Sequence, residues 1–425
     1  MSDDDLTMIG ERYGWGGSTL SSFGIRRADR RQHLYVLGKT GTGKSTLLER
    51  LILQDIAAGE GTALLDPHGD LALRLLDLIP PWRTDHLCYL DPADLAQPVG
   101  FNILAPCPPE RRHLAVSGVV AAFKAIWRDS WGPRLEYILA NAVAALMEIP
   151  GATLLHLPRL LADDGYRARL AARLSDPVVR RFWLEELPGW DRRFRAEAVA
   201  PVQNKVGQLL LSPMVRNILG QERSAIDPRF LMDNRRILIA NLAKGRLGED
   251  KASLIGALLV SSFELAASAR ADTPEERRPD FYLYADEFQN FATDSFAAIL
   301  SEARKYRLSL GLFHQFEDQL SEPVRRAVFG NVGTIIVFRV GQRDAEHLAA
   351  ELEHDLTPED LTSLGRFELA VKLLEHGRHG VPFRARTALS DVPVYGRRDN
   401  LIRQSRMRFG RPREKVERTI ARLMG

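Results

Sequence analysis

Eight residues, Gly38-Lys39-Thr40-Gly41-Thr42-Gly43-Lys44-Ser45, have the spacing G-x-x-x-x-G-K-S. Glycines at these positions let a backbone curl so that successive N–H groups face an anion. A lysine in the seventh place reaches the β and γ phosphates of a nucleotide, and the hydroxyl after it holds Mg²⁺. Gly38, Thr40, Gly41, Thr42, Gly43, Lys44, Ser45 and Thr46 are therefore the candidate residues for ATP, with Ser45 also on the metal. A second constellation lies far downstream, where the apolar run Phe281-Tyr282-Leu283-Tyr284-Ala285 ends in Asp286-Glu287. Asp286 is expected to hold the Mg²⁺ shell, and Glu287 to orient and deprotonate an attacking water. Such a carboxylate favours hydrolysis over transfer to a bound small molecule. Gln315 ends the next apolar run, a position from which a polar side chain can sense the terminal phosphate; a capping glutamine is the equal alternative. Arg304 falls at the far end of that element, where it would face a neighbouring subunit more easily than its own nucleotide; a plain surface arginine is the equal alternative.

These residues need elements to position them. The loop works only where a strand delivers it to a helix N-terminus, and here Leu34-Tyr35-Val36-Leu37 precedes it while Thr46 to Leu53 follows with helical spacing. Gly61 to Asp66 and His86 to Leu90 read as further strands, so the chain begins as a parallel α/β sheet. From about Pro108 to Asp227 the pattern is almost wholly helical, punctuated at Pro150-Gly151, Pro188-Gly189 and Pro213. Strand patterns resume at Arg236 to Asn241 and recur at Phe281 to Glu287, Ser309 to Phe313, Gly333 to Arg339, Glu368 to Leu373 and Pro382 to Thr387. The expected organisation is an N-terminal arm (1–30), a first core segment (31–107), an inserted all-α domain (108–227), a second core segment (228–395) and a basic tail (396–425). Gly10, Gly14, Gly16, Gly17 and Ser21-Ser22 make the arm read as irregular, and the tail carries a short helix from Pro412 to Leu423.

Composition narrows the class. A hydrophobic content of 45% and a charged content of 27% fit an ordinary folded globular protein. The net charge of +3 is concentrated: Gly396 to Gly425 holds ten Arg or Lys against three Asp or Glu, leaving the remainder net acidic. Cys88 and Cys107 show neither metal spacing nor a disulfide framework, as expected of a reducing cytoplasm. The acidic opening Ser2-Asp3-Asp4-Asp5 is unlike a signal peptide, and Tyr137 to Ile149 and Leu254 to Phe263 read as core helices rather than membrane spans. Asp66-Pro67-His68-Gly69 is good turn chemistry and also a turn at the edge where α/β folds bind ligands. Lys244 to Lys251 could track a phosphate backbone, although its acids balance its bases.

Taken together, Gly38 to Thr46, Asp66 to Asp70, Asp286-Glu287-Phe288-Gln289-Asn290, Ala303-Arg304-Lys305-Tyr306, His314-Gln315, Asn331 to Thr334 and Phe338-Arg339 resemble the FtsK/HerA superfamily of ring ATPases. Within it they are similar to the cytosolic motor of type IV secretion coupling proteins, the TraD/TraG group. The resemblance implies a RecA-like core with an all-α insertion, a homohexamer around double-stranded DNA, and hydrolysis of ATP with Mg²⁺ between subunits. It also implies that Gln315 contacts the γ-phosphate and Arg304 is the arginine finger, with Arg339 the second candidate. Coupling proteins usually carry N-terminal transmembrane helices and HerA proteins an N-terminal β-barrel; neither pattern is read here, which points to a cytoplasmic motor. Its further partner is then a relaxase or secretion-channel protein, or an effector nuclease for which the ring is the platform. A protein-handling ATPase indifferent to DNA is the rival from another class.

Overall fold

The computed structural model describes residues 5–13, 20–293, 296–353, 356–388 and 392–424. The chain divides into two compact units. Met1–Tyr89, Arg229–Asn241 and Ala266–Ile402 make the first; Leu90–Pro228, Leu242–Leu265 and Arg403–Gly425 make the second.

The first unit is built on strands β1 (Leu6–Tyr13), β2 (Leu20–Arg26), β3 (Leu34–Leu37), β4 (Gly61–Asp66), β5 (Leu87–Leu90), β6 (Ile237–Asn241), β7 (Phe281–Ala285), β8 (Leu308–His314), β9 (Thr334–Val337), β10 (Glu368–Lys372), β11 (Leu374–Glu375), β12 (Arg378–His379) and β13 (Phe383–Thr387). Eleven of them form one sheet in the order β2-β1-β13-β10-β9-β3-β8-β7-β4-β6-β5, and β11 and β12 pair separately. From β9 to β6 the neighbours are parallel. Every residue of β3, β4, β6, β7, β8 and β9 is buried, which is why these strands are continuous apolar runs rather than alternating ones. Parallel pairing puts the carboxyl ends of all six on one edge of the sheet. Leu37 stands opposite His314 and Val337, Leu65 opposite Ala285, and Asp66 opposite Asn241.

The N-terminal residues depart from expectation. Instead of an irregular arm, β1 and β2 pair with each other and β1 pairs antiparallel with β13, extending the sheet. Gly10 misled the reading. It is a strand residue whose missing Cβ would lie 2.1 Å from the Arg386 carbonyl oxygen, so the glycine marks close backbone approach and not a turn. Gly14, Gly16 and Gly17 lie outside the described residues.

The second unit is helical. Arg112–Ile126, Pro133–Met147, His156–Ala162, Asp164–Ala171, Arg192–Leu210 and Pro213–Leu219 are its main helices besides the C-terminal pair. Leu135, Ile138, Leu139, Ala142 and Leu146 are buried on one stripe of the second of these, at the i, i+3, i+4 spacing of a core-facing helix. Asp163, Asp176 and Asp191 cap helix starts with side-chain bonds to backbone N–H groups. The basic tail is more ordered than expected, with a helix at Arg398–Phe409 as well as one at Arg413–Met424. Val416 and Ile420 are buried on the latter, and Asn217 Nδ2 donates to Glu417 Oε1 at 3.3 Å. Glu249–Asp272 is long and apolar enough, by length and composition, to cross a membrane, and 61% of its apolar window is buried inside the protein.

Candidate nucleotide site

At the sheet's carboxyl edge β3 runs into the glycine-rich loop, and the loop into the helix Lys44–Ala57. Its backbone is propped by neighbours far along the chain. Gly38 N–H donates to His314 O at 3.3 Å, Lys39 N–H to Arg339 O at 2.9 Å, and Phe367 N–H to Thr42 O at 2.8 Å. Gly43 has φ 126, and a Cβ there would stand 2.9 Å from Phe367 Cδ1 and 3.1 Å from Phe338 Cε1. Only glycine fits that backbone and that space. The buried Lys44 ammonium donates to the carbonyls of Gly38 and Lys39, the latter at 3.0 Å. Burial lowers its pKa to about 8, opposed by the charges of Asp286 and Glu287.

A cavity of about 290 Å³ opens beside the loop, with Ser45, Thr46, Asp66, His68 and Asp286 among its lining. Burial lifts the Asp286 pKa to about 6, and the nearby Asp66 and Glu287 carboxylates push the same way. Ser45 and Asp286 thus offer a hydroxyl and a carboxylate, the partial oxygen set that Mg²⁺ accepts beside phosphate and water. The donor set and the glycine cradle fit a nucleotide with Mg²⁺.

Glu287 follows β7 in the left-handed region, at φ 45 and ψ 54. Its Oε1 accepts from Gln315 Nε2 at 2.5 Å and lies 2.9 Å from His68 Nε2. Gln315 in turn accepts from Thr40 Oγ1 at 3.2 Å. Burial pulls the His68 pKa down, but its bond to Glu287 and the charges of Glu287, Asp286 and Asp66 outweigh this and raise it.

The predicted residues Lys44, Ser45, Asp286, Glu287 and Gln315 therefore gather at one edge with the loop. The two arginines separate. Arg339 is exposed at the loop's own rim, where its carbonyl receives the Lys39 N–H. Arg304 is exposed in the turn Ala303–Tyr306, at the amino end of β8, and its Nη1 lies 3.4 Å from Gln32 Oε1. At roughly 3.3 Å per residue, β8 sets it about 20 Å from Gln315. The structure does not bring Arg304 to its own chain's loop. In the second unit Lys244 and Arg246, candidate backbone-tracking cations, pair with Glu249 and Asp91 at 3.4 and 2.9 Å. Sequence reasoning missed Phe367 altogether and took Phe338 only as part of a motif, because no spacing records that both rings pack on Gly43. It raised His68 only as turn chemistry or an edge residue, without linking it to Glu287.

The family model for the central domain of helicase HerA matches residues 26–80, from the turn before β3 through the helix after β4. The type 4 coupling protein DotL of Legionella pneumophila is 24% identical over 340 residues, which covers 66% of this chain and 43% of DotL. The chain thus spans less than half the length of that curated relative. The plasmid coupling protein TrwB in complex with ADP and Mg²⁺ superposes with a TM-score of 0.64 at 16% identity, covering 93% of this chain and 97% of TrwB. VirB4 of Thermoanaerobacter pseudethanolicus superposes with a TM-score of 0.60 at 14% identity, covering 92% of this chain and 98% of that one. Residues 26–80 thus match a HerA-type central domain, and the chain as a whole is similar to the type IV coupling proteins. Its coupling-protein-like fold is RecA-like, a mostly parallel sheet carrying the loop, joined to a helical domain. The match at 26–80 falls on the strand, loop and helix that carry Lys44 and on the turn that carries His68.

Proposed function

We propose that this chain is an Mg²⁺-dependent ATPase that assembles as a hexameric ring in the cytoplasm and moves double-stranded DNA. The observation that carries the ATPase reading is the meeting of Lys44, Asp286, Glu287 and Gln315 at one sheet edge beside a glycine cradle. TrwB, with which the fold superposes, binds ADP and Mg²⁺. Lys44 and the loop N–H groups bind and orient the phosphates, and Ser45 and Asp286 would hold the metal. When bound, Mg²⁺ would neutralise the charge that develops on the phosphates. Glu287 orients the water and takes its proton as the water oxygen bonds to the γ-phosphorus, while the bond to the β,γ-bridging oxygen breaks and ADP leaves. Gln315 faces the terminal phosphate. The DNA reading draws support from an exposed cationic stripe, Lys415, Arg418 and Arg422, on the helix Arg413–Met424. A relaxase, channel protein or effector nuclease would be the further partner.

The test is the ATPase rate of the full chain with and without double-stranded DNA at two salt concentrations, with Glu287→Gln as control. Stimulation that fades with salt is the expected result. Hydrolysis that depends on Glu287 but ignores DNA would replace the DNA motor with an ATPase driven by a protein partner.

A further inference from the structure

His68 and Gln315 reach Glu287 from two different strands. β4 ends at Asp66, a buried residue whose carboxylate accepts the His68 N–H at 2.9 Å and the Ala72 N–H at 2.8 Å. That carboxylate fixes the turn at both ends, so the His68 backbone is placed before its side chain makes any contact. From there Nε2 reaches Glu287 Oε1 at 2.9 Å, while Gln315 Nε2 reaches the same oxygen at 2.5 Å. A carboxylate oxygen has two acceptor sites, so Oε1 is occupied by donors from the ends of β4 and β8 at once.

Glu287 has need of such a hold. Its left-handed backbone, φ 45 and ψ 54, costs a non-glycine residue on the order of 1 kcal/mol and persists only where the surroundings over-determine it. Asn290 Nδ2 also reaches the other oxygen, Oε2, at a long 3.5 Å, and of the two closer ties on Oε1 one is not permanent. The Gln315 amide already joins Thr40 on the loop's rim to Glu287, and a Gln315 that turns to a terminal phosphate gives up its bond to the carboxylate. His68 is placed to remain. Its side chain is 55% exposed at the mouth of the site, so apolar packing does not explain its position. The bond needs a proton on Nε2, which the imidazolium and one neutral tautomer both carry.

We propose that His68 is the positioning residue that keeps the Glu287 carboxylate aimed when Gln315 turns to the nucleotide's terminal phosphate. This rests on the ATPase reading above. The experiment uses the full chain as wild type, His68→Ala, His68→Gln and Glu287→Gln. It measures kcat, affinity for a fluorescent ATP analogue, thermal midpoint, and amide hydrogen exchange over Glu287–Asn290. Misaiming a catalytic group by about 1 Å costs on the order of 10²-fold, so His68→Ala should lose roughly 10- to 100-fold in kcat. Analogue affinity should stay within about twofold, since the lost contact lies on the carboxylate and not on the phosphates. The thermal midpoint should not move, and exchange over Glu287–Asn290 should quicken. His68→Gln, whose Nε2 sits at a similar reach, should restore most of the rate and the slow exchange. Wild-type kcat in His68→Ala overturns the proposal, as does a loss in which affinity falls in step with rate. If wild type and Glu287→Gln turn over alike, the ATPase reading fails instead, and unchanged exchange in His68→Ala then refutes the hold by itself.

Discussion

At Glu287 a strained backbone, two donors on one carboxylate oxygen and a link through Gln315 to Thr40 of the phosphate loop meet in one side chain. Removing its charge while keeping its shape isolates the chemistry: Glu287→Gln should cut hydrolysis by about 10²- to 10⁴-fold and leave nucleotide affinity near wild type. Turnover assays beside analogue titrations check this, and a parallel loss of both would assign Glu287 to binding. Gly43 makes the complementary case. Gly43→Ala puts a methyl 2.9 Å from Phe367 Cδ1 on a backbone at φ 126, so the loop must shift and analogue affinity should fall at least about tenfold. Unchanged affinity would show that the Phe338 and Phe367 props yield freely. Both residues were legible because their motifs are contiguous: a strand, a glycine loop and a helix in order, or two acids after an apolar run. His68 was legible only as part of a turn at the ligand-binding edge, since its partner belongs to a strand far along the chain and no local spacing records that meeting.

Elements are joined here by buried polar side chains, and His33 shows the energetics. It precedes β3 at φ 64 and is almost wholly buried. Its Nε2 meets Leu300 O at 3.1 Å and its Nδ1 accepts the Leu310 N–H at 3.1 Å, which ties β3 to β8 and to the helix Phe296–Glu302. The ring is therefore neutral: burial lowers its pKa to about 4, the Leu300 bond opposes this, and Arg304 adds to it. The unfolded chain binds the proton more tightly, so this stability is full above about pH 6.5 and drains as pH falls towards 4, by about 3 kcal/mol in all. His314, lowered to about 3 chiefly by burial and next by Lys44, acts in the same direction. Urea unfolding at pH 7, 5.5 and 4.5 tests the sign, and His33→Gln should start weaker but decline less. Burial holds Asp286 up near 6 and so acts the opposite way, which makes the comparison of the two chains decisive: a His33→Gln that declines in step with wild type would mean that the ring is charged in the fold. The same elements show which strands a sequence reveals. β3, β4, β7, β8 and β9 are buried throughout and mainly apolar because both faces are covered. β1 and the helix Arg398–Phe409 were hidden, the first by a glycine that serves close strand approach and the second by an arginine-rich run in which Leu401 and Ser405 are the buried side chains.

On the proposed reading the whole molecule grips DNA and meets its copies in a ring. On the helix Arg413–Met424, Lys415, Arg418 and Arg422 recur at i, i+3 and i+7, opposite the buried Val416 and Ile420, so one face is anchored and the other is a cationic row. If the row meets DNA phosphates, replacing all three by alanine should flatten the slope of log affinity against log salt by about 2 to 3. Anisotropy titrations between low and moderate salt measure it, and an unchanged slope removes this helix from the DNA path. Arg304 raises the question of copies. Its place at the amino end of β8, about 20 Å from Gln315, puts its own nucleotide out of reach, so a catalytic role requires the site of a neighbour. Arg304→Ala rings should then hydrolyse on the order of 10³-fold more slowly. Lys44→Ala rings should be inactive for the opposite reason, a spoiled loop beside an intact arginine. Mixed in equal amounts, the two variants restore complete sites wherever an Arg304→Ala subunit offers its loop to the arginine of a Lys44→Ala neighbour, about one interface in four by random assortment round a head-to-tail ring. Hydrolysis should reappear in the mixture although neither variant has it alone. A mixture that stays inactive at every ratio, with rings still assembled, would leave Arg304 a surface residue and shift the search to Arg339 at the loop's rim.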